Sequence, residues 1–240
     1  MRIGGKAALI TGGTAGIGEQ LALQLAAKGA KVIVTGRSKG RLATMRERGF
    51  ESISADLSNS TGVDALMSAL GERSIDILIN NAGQGVDHDF REAIPSMGDT
   101  DDCIHANLNG PIRLTTALVP RMTELASATI VYVTSGLAIA PSAASPIYCA
   151  TKAGLRSYAQ AIRAQLKGKG IHVIEALPPV VDTQMTAGRS GHKMSAEDCA
   201  AVIVKAIEKD RDEVNIGMVK ILKRVHSVSP ALARNIMLRF

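Results

Sequence analysis

One stretch decides the fold of this chain: the apolar run Lys6-Ala-Ala-Leu-Ile-Thr11, continued by the turn Gly12-Gly-Thr-Ala-Gly16-Ile-Gly18. The run is typical of a buried strand, and a helical pattern follows it from about Gly18 to Lys28. Glycine allows the chain to turn tightly, and its missing Cβ lets the backbone approach a pyrophosphate at a helix N-terminus. The stretch therefore predicts a strand–turn–helix unit. Its glycines could serve only to tighten the turn, but as the first such turn of an alternating strand–helix pattern it is expected to bind a nucleotide.

The alternation of strand and helix continues along the chain and predicts the fold class. Further strands are expected at Lys31–Thr35, Ser52–Ala55, Ile75–Ile79, Thr129–Thr134, His172–Leu177 and Glu213–Gly217. Helices are expected up to Arg48, over about Thr100–Ala126 with Pro111 and Pro120 bending or segmenting it, up to about Lys167, and over Asp198–Lys209. This order predicts an α/β fold, a Rossmann-type doubly wound parallel sheet of about seven strands with helices on both faces.

Nothing in the sequence suggests a linker or an internal repeat, so residues 1–240 are interpreted as a single dinucleotide-binding and catalytic domain. Residues 184–195 contain Gly188 and Gly191 and show little periodicity, which favours a lid over the substrate. Residues 218–240 form a basic, amphipathic tail that is predicted to be helical. Either a membrane surface or a packing surface on the chain itself or a partner subunit is compatible with that pattern.

Composition excludes several classes of protein. The chain has 46% hydrophobic and 21% charged residues and no apolar run long enough for a bilayer, and its N-terminus has no signal-peptide pattern, so we expect a cytoplasmic protein. Its net charge is +6, but the cations are dispersed and aromatic residues make up only 2%, which argues against nucleic acid as a partner. Three irregularly spaced cysteines and five scattered histidines predict neither a disulfide framework nor a metal site.

Tyr148 and Lys152 are the candidate acid–base pair. Four residues apart on a predicted helix, they lie on one face and can point at the same small volume. A phenol titrates near pH 10 in water, and a neighbouring ammonium group favours the phenolate and so lowers the phenol's pKa. The same spacing also occurs in helices without any catalytic role, so the catalytic interpretation of the pair depends on the nucleotide-binding turn predicted upstream.

The end of the second predicted strand indicates which nucleotide is bound. An acidic residue at this place would accept hydrogen bonds from the ribose hydroxyls of NAD(H). Here the sequence is Thr35-Gly36-Arg37-Ser38, without a carboxylate and followed by Lys39 and Arg41. Gly36 leaves room and Arg37 supplies positive charge for a 2′-phosphate, so NADP(H) is the predicted cofactor.

Seven landmarks, in order, resemble the short-chain dehydrogenase/reductase family up to about residue 183. They are the T-G-x-x-x-G-x-G turn at Thr11–Gly18, Asp56-Leu57, Asn80-Asn-Ala-Gly83, Asn107, Ser135, the Tyr148/Lys152 pair, and Pro178–Thr183. The resemblance implies a set of nucleotide-binding residues: Gly12, Thr14, Gly16, Ile17, Gly18, Arg37, Asp56, Leu57, Asn81, Ala82, Gly83, Tyr148, Lys152, Pro178, Val181 and Thr183.

The same resemblance implies the catalytic roles. Tyr148 exchanges a proton with the substrate oxygen, while Lys152 lowers the pKa of the phenol and binds the nicotinamide ribose. Ser135 holds the substrate oxygen, and Asn107 anchors a water that links Lys152 to solvent. The expected reaction is hydride transfer between NADP(H) and a carbonyl compound or secondary alcohol. This chain departs from the family in having Pro179 in place of the usual glycine and in its tail, which puts the usual tetramer in doubt; we expect a homodimer.

The predicted substrate is an apolar ketone or aldehyde. The pocket is expected to be lined by mostly apolar residues, namely Gln84, Gly85, Leu137, Ile139, Val180 and the lid. The lid cations Arg189, His192 and Lys193 would also suit an acidic substrate, so a reductase of 3-oxoacyl thioesters on an acyl carrier remains an alternative. A non-catalytic NADP(H)-sensing protein is the second alternative, although such a protein has no need of both Tyr148 and Lys152.

Overall fold

Seven parallel strands form one sheet in the computed structural model, which describes all residues from Met1 to Phe240. The strands are β1 Ala7–Ile10, β2 Lys31–Gly36, β3 Glu51–Ser54, β4 Ile77–Asn80, β5 Ala128–Val133, β6 Ile171–Leu177 and β7 Glu213–Asn215. Their order is β3-β2-β1-β4-β5-β6-β7, so the winding direction reverses between β1 and β4. Ligands bind at this switch point in doubly wound sheets, at the carboxyl ends of the strands. The predicted fold class is confirmed.

Nine α-helices accompany the sheet. They are α1 Gly16–Ala27, α2 Lys39–Glu47, α3 Ser60–Leu70, α4 Met97–Ile104, α5 Gly110–Met122, α6 Pro146–Gln165, α7 Ala196–Glu208, α8 Val219–Val228 and α9 Pro230–Met237. Leu21 of α1 and Ile203 of α7 belong to one buried cluster. Leu66 of α3, Leu118 of α5 and Leu155 of α6 belong to a second. None of the helices is both long and apolar enough to cross a membrane.

Helix α3 has no counterpart among the predicted elements. Its start is marked by Asn59, whose side-chain oxygen accepts a hydrogen bond from the Gly62 amide at 2.8 Å. Val63, Leu66 and Leu70 recur at helical spacing and are buried. The signal was therefore present in the sequence, in a cap followed by a short apolar stripe.

The predicted long helix over Thr100–Ala126 is segmented, but at a different place. It divides into α4 and α5 at a π-helical turn, His105–Asn109, which precedes Pro111 and contains the buried Asn107. Pro111 lies in the first turn of α5, where a missing amide hydrogen costs no helical bond. Pro120 lies inside α5 without ending it. The wider turn, and not a proline, therefore interrupts the helix.

The tail residues fold back onto their own chain at the carboxyl edge of the sheet. Val219 of α8 is buried, and a Cβ on Gly136 would lie 2.9 Å from its Cγ2 atom. Ala233 of α9 is also buried. The Lys223 ammonium lies 3.4 Å from the Glu213 carboxylate of β7. Of the two interpretations of the tail, packing against the chain's own body is therefore observed, and it places α8 beside Gly136, the residue after Ser135.

Candidate active site

A cavity of about 1140 Å³ opens at the carboxyl edge of the sheet, around the switch point between β1 and β4. It runs from the glycine turn before α1, past the end of β5 and the start of α6, to the tail helices. Nearly all the predicted nucleotide-binding residues line it. The exception is Gly18, and the predicted catalytic Asn107 is also absent from the lining because it is fully buried behind the wall.

The glycine turn requires glycine at three positions. Gly12 has φ +62°, and a Cβ there would lie 3.0 Å from the Ala82 Cα atom. Gly16 has φ +55°, and its Cβ would lie 2.9 Å from the Thr183 side chain. A Cβ on Gly18 would lie 2.2 Å from the Gly12 carbonyl oxygen, which no side-chain rearrangement could relieve. These contacts let the backbone turn tightly before α1 with no side chain in the way, forming a glycine cradle that fits a pyrophosphate at the start of that helix.

Asn81 and Thr11 fasten this turn to the end of β4. The Asn81 amide nitrogen Nδ2 donates to the carbonyl oxygens of Thr11 and Gly12 at 3.0 and 3.2 Å. The Thr11 hydroxyl accepts from the backbone amides of Asn81 and Ala82, both at 3.0 Å. Thr11 was not predicted as a site residue. Its place at the end of an apolar strand and at the head of the glycine motif was the available signal.

Two arginine side chains, Arg37 and Arg41, line the cavity near the end of β2. The Arg37 guanidinium lies 3.7 Å from the Asp56 carboxylate, and both side chains are about half exposed. Ser38 caps α2, and its hydroxyl accepts from the Arg41 amide at 3.4 Å. The Arg41 side chain donates to the Gln184 side chain, so it reaches across the cavity to the lid segment. Arg41 and Ser38 line the cavity with Arg37, and this set of donors fits a phosphate group beside the ribose.

Three of the predicted catalytic side chains meet in the same cavity. Ser135 follows β5, and Tyr148 and Lys152 occupy the first two turns of α6. The Lys152 Nζ atom lies 5.6 Å from the centre of the Tyr148 ring and donates to the Val133 carbonyl oxygen at 3.0 Å. The Ser135 hydroxyl accepts from the Leu137 amide at 3.1 Å. The fold therefore brings these residues together as the sequence predicted.

Asn107 lies behind these side chains and binds the loop after β4. Its Oδ1 atom accepts from the Gln84 amide at 2.8 Å, and its Nδ2 atom donates to the Gln84 carbonyl oxygen at 2.9 Å. Nδ2 also donates to the Thr151 hydroxyl of α6 at 3.1 Å. A Cβ on Gly83 would lie 2.8 Å from Asn107 Oδ1 and 3.4 Å from Lys152 Nζ, so the π-helical turn supports the floor beneath the lysine.

Burial has the largest effect on the pKa of both Lys152 and Tyr148. It lowers the pKa of Lys152 to about 8, because an ammonium loses hydration inside the protein. It raises the pKa of Tyr148 to about 12, while the neighbouring Ser135 hydroxyl and the positive charge of Arg189 act in the opposite direction. The lowering of the phenol's pKa by Lys152 that the sequence predicted is therefore not found: burial has the largest effect and raises the pKa, and the groups that oppose it are Ser135 and Arg189.

The lid segment is held over the cavity by Arg189. Its guanidinium donates to both carboxylate oxygens of Asp87, at 3.2 and 3.3 Å, and to the Ser145 hydroxyl at 3.1 Å. Ser145 is buried three residues before Tyr148 and also donates to Asp87. The lid includes a short helix at Gln184–Thr186 and an isolated bridge from Val181 to Met194.

The prediction of which residues line the substrate pocket is correct in part. Gln84, Gly85, Leu137 and Val180 line the cavity, as do Gln184, Met185, Thr186 and Arg189 of the lid. Ile139, His192 and Lys193 do not; the Lys193 ammonium donates instead to the Thr186 carbonyl oxygen at 2.6 Å. The tail supplies the part of the lining that the sequence did not predict: Met218, Val219, Ile221, Leu222, Val225, Ala233, Ile236, Met237 and Phe240. The amphipathic pattern of the tail was the available signal.

Comparison with known proteins agrees with this geometry. The sequence model of the short chain dehydrogenase family matches residues 6–193. "Uncharacterized oxidoreductase DltE" of Bacillus subtilis (strain 168) is 34% identical over 224 residues, which are 89% of each chain. The chain therefore belongs to the short-chain dehydrogenase family of oxidoreductases.

Two solved structures extend the likeness over the whole fold. A short chain dehydrogenase from Burkholderia cenocepacia J2315 in complex with NADP has a TM-score of 0.89 and 25% identity and covers 99% of both chains. A short chain dehydrogenase/reductase from Burkholderia phymatum in complex with NAD has a TM-score of 0.84 and 26% identity, covering 98% of this chain and 97% of that one. Structural neighbours therefore include complexes with either dinucleotide.

Proposed function

We propose that this oxidoreductase transfers a hydride between NADP(H) and a carbonyl group or secondary alcohol, and that it acts as a reductase of apolar ketones or aldehydes. The observation that carries the proposal is the shared cavity of Ser135, Tyr148 and Lys152 with the glycine cradle on one side and an apolar wall on the other. The cradle would hold the dinucleotide, and the apolar wall would bind a substrate beside it.

The preference for NADP(H) rests on charge at the end of β2. Arg37 and Arg41 line the cavity there, and no carboxylate occupies the residues Thr35 to Ser38. A carboxylate in that stretch would repel a 2′-phosphate, whereas guanidinium groups bind it with charge-assisted hydrogen bonds. Asp56 lies beside Arg37 and would compete for its charge, which limits the strength of the preference.

Each catalytic side chain has a role that its position supports. NADP(H), when bound, supplies or accepts the hydride. Tyr148 would donate the proton to the carbonyl oxygen in reduction, and Ser135 would hold that oxygen by a hydrogen bond. Lys152 would hold the nicotinamide ribose and favour the phenolate after the proton has left. Asn107 would fix the loop at Gln84, and its part in a water relay stays a prediction.

The side chains of the tail that line the cavity favour an apolar substrate. The side chains that α8 and α9 present to the cavity are aliphatic apart from Phe240, and none is charged. The one lid cation in the lining, Arg189, is already paired with Asp87 and is therefore less available to an acidic substrate. A homodimer and a cytoplasmic location stay predictions of the sequence.

A substrate panel tests the proposal. Purified enzyme would be assayed at 340 nm with NADPH and NADH against apolar ketones and aldehydes, sugar phosphates and a 3-oxoacyl thioester carried on an acyl carrier. We expect the highest kcat/KM with NADPH and an apolar ketone or aldehyde. Preferential turnover of the acyl-carrier substrate would favour the 3-oxoacyl reductase instead. Tight nucleotide binding without turnover of any carbonyl compound would favour a sensing protein.

A further inference from the structure

The tail helices expose an apolar stripe at the mouth of the cavity. Met218, which precedes α8, and Ile221, Val225 and Val228 of α8 are spaced by three and four residues and so follow one face. Val228 is 88% exposed and Ile221 is 51% exposed. Met218, Ile221 and Val225 border the cavity and Val228 does not, so the stripe runs from the cavity rim outward.

The neighbouring helix continues the exposed apolar surface. On α9, Leu232 and Ile236 are one turn apart, and Phe240 follows another turn further on. These three side chains are 52%, 42% and 74% exposed, respectively. Ile236 and Phe240 also line the cavity, so the same side chains contribute to the cavity rim and to the exposed apolar surface. Large exposed apolar patches of this kind mark interaction sites.

Positive charge surrounds the stripe. Residues 218–240 contain five of the chain's 28 Lys and Arg residues and none of its 22 Asp and Glu residues, so nearly all of the net charge of +6 resides there. Lys220, Arg224, Arg234 and Arg239 are exposed, and none of them forms an ion pair or donates a side-chain hydrogen bond within the chain. Only Lys223 is paired, with Glu213.

This combination of charges limits what can cover the surface. A symmetric dimer built on this face would bring the same patch of each copy together, and so would oppose cations with cations. A surface that offers both hydrocarbon and negative charge complements the stripe and its rim, and an anionic lipid bilayer has this chemistry.

We infer that α8 and α9 dock the enzyme on an anionic lipid surface, with the apolar stripe in the headgroup region and the cavity mouth against the bilayer. The cations at the rim of the stripe face the lipid phosphates. Lipophilic carbonyl compounds dissolved in the bilayer then reach the cavity without crossing water. The docking itself does not depend on the proposed reaction; only this last consequence rests on it.

Vesicle co-sedimentation of the full chain tests the inference. The vesicles would consist of phosphatidylcholine alone or of phosphatidylcholine with a quarter phosphatidylglycerol, at 0.1 M salt and without substrate. We expect binding to the anionic vesicles that falls as salt rises. The double substitution Arg224→Gln/Arg239→Gln should weaken that binding roughly 25-fold, since each cation near the surface contributes about a fivefold factor. Val228→Gln should weaken it roughly tenfold by removing inserted apolar surface.

Lys167→Gln/Lys169→Gln is the matched control, because both lysines are exposed after α6 at the opposite edge of the sheet. This control should bind like the wild type. Absence of wild-type binding, or an equal loss in the control, would overturn the inference. Conversion of a wild-type dimer to a monomer by Leu232→Asp in sedimentation velocity would also overturn it, because a second copy would then cover this face. None of these measurements requires turnover, so a failure here is distinct from a failure of the proposed reaction.

Discussion

Replacing Arg37 with alanine tests the basis of the cofactor preference. A charge-assisted hydrogen bond to a phosphate contributes about 1.5–3 kcal/mol. The Arg37 side chain is 57% exposed and lies 3.7 Å from the Asp56 carboxylate, so both solvent and Asp56 reduce its effect. We therefore expect a loss near the lower end of the range, about 1.4 kcal/mol, which is roughly tenfold in the Kd of NADPH.

The assay is nucleotide binding by isothermal titration calorimetry, with NADPH and NADH measured separately. Arg37→Ala should raise the Kd of NADPH and leave that of NADH nearly unchanged, because NADH has no 2′-phosphate. Arg48→Ala is the control, since Arg48 follows α2, is paired with Glu19 and lies outside the cavity. An unchanged ratio of the two Kd values in Arg37→Ala, or the same change in Arg48→Ala, would refute the reasoning.

Three further substitutions test the cradle, the buried lysine and the lid. Gly18→Ala should lower the melting temperature by several degrees and abolish nucleotide binding, since its Cβ would meet a carbonyl oxygen at 2.2 Å; an unchanged thermal melt would contradict this. The pKa of Lys152 is about 8 in the folded chain against the ordinary 10.5, so the unfolded chain binds more protons between those values and stability should rise with pH there. Relative to Lys152→Met, the wild-type free energy of unfolding should therefore increase by about 3 kcal/mol from pH 7 to pH 10.5 in urea titrations. The same pH dependence of the unfolding free energy in both proteins would contradict the lowered pKa of Lys152. Arg189→Gln should release the lid from Asp87, raise KM severalfold and speed proteolysis of residues 184–195. Proteolysis at the wild-type rate would argue against a role of the Arg189–Asp87 contact in holding the lid.

Local signals in the sequence were sufficient for the sheet and the cradle. Gly12 and Gly16 have a positive φ, and a Cβ on Gly18 would meet backbone, so each glycine of this spacing answers a local requirement of the turn. Strands β1, β2, β4, β5 and β6 are mostly buried and form apolar runs that need no alternation, so their positions could be found from the local composition. Tyr148 and Lys152 share a helical face, and Ser135 follows the strand before it, so their meeting could be predicted from topology.

Other features depend on contacts between distant residues. The π-helical turn at Asn107 is fixed by hydrogen bonds to Gln84, 23 residues away, and no local pattern specifies them. The raised pKa of Tyr148 follows from burial by the completed cavity, which a spacing rule does not contain. Likewise, the amphipathic pattern of the tail predicted helices, but its place over Gly136 depends on the end of a strand more than eighty residues earlier.

Single-turnover reduction of an apolar ketone by Tyr148→Phe tests the central claim most directly. Enzyme in excess would be mixed with NADPH and ketone, and the alcohol product would be quantified alongside nucleotide binding. Tyr158→Phe is the matched control, because Tyr158 lies on the same helix and packs against Tyr132 outside the cavity. We expect Tyr148→Phe to bind NADPH normally and to form product at least roughly a hundredfold more slowly, in keeping with the contribution of a positioned acid. Product formation by Tyr148→Phe at the rate of wild type and Tyr158→Phe would contradict the assignment of Tyr148 as the proton donor.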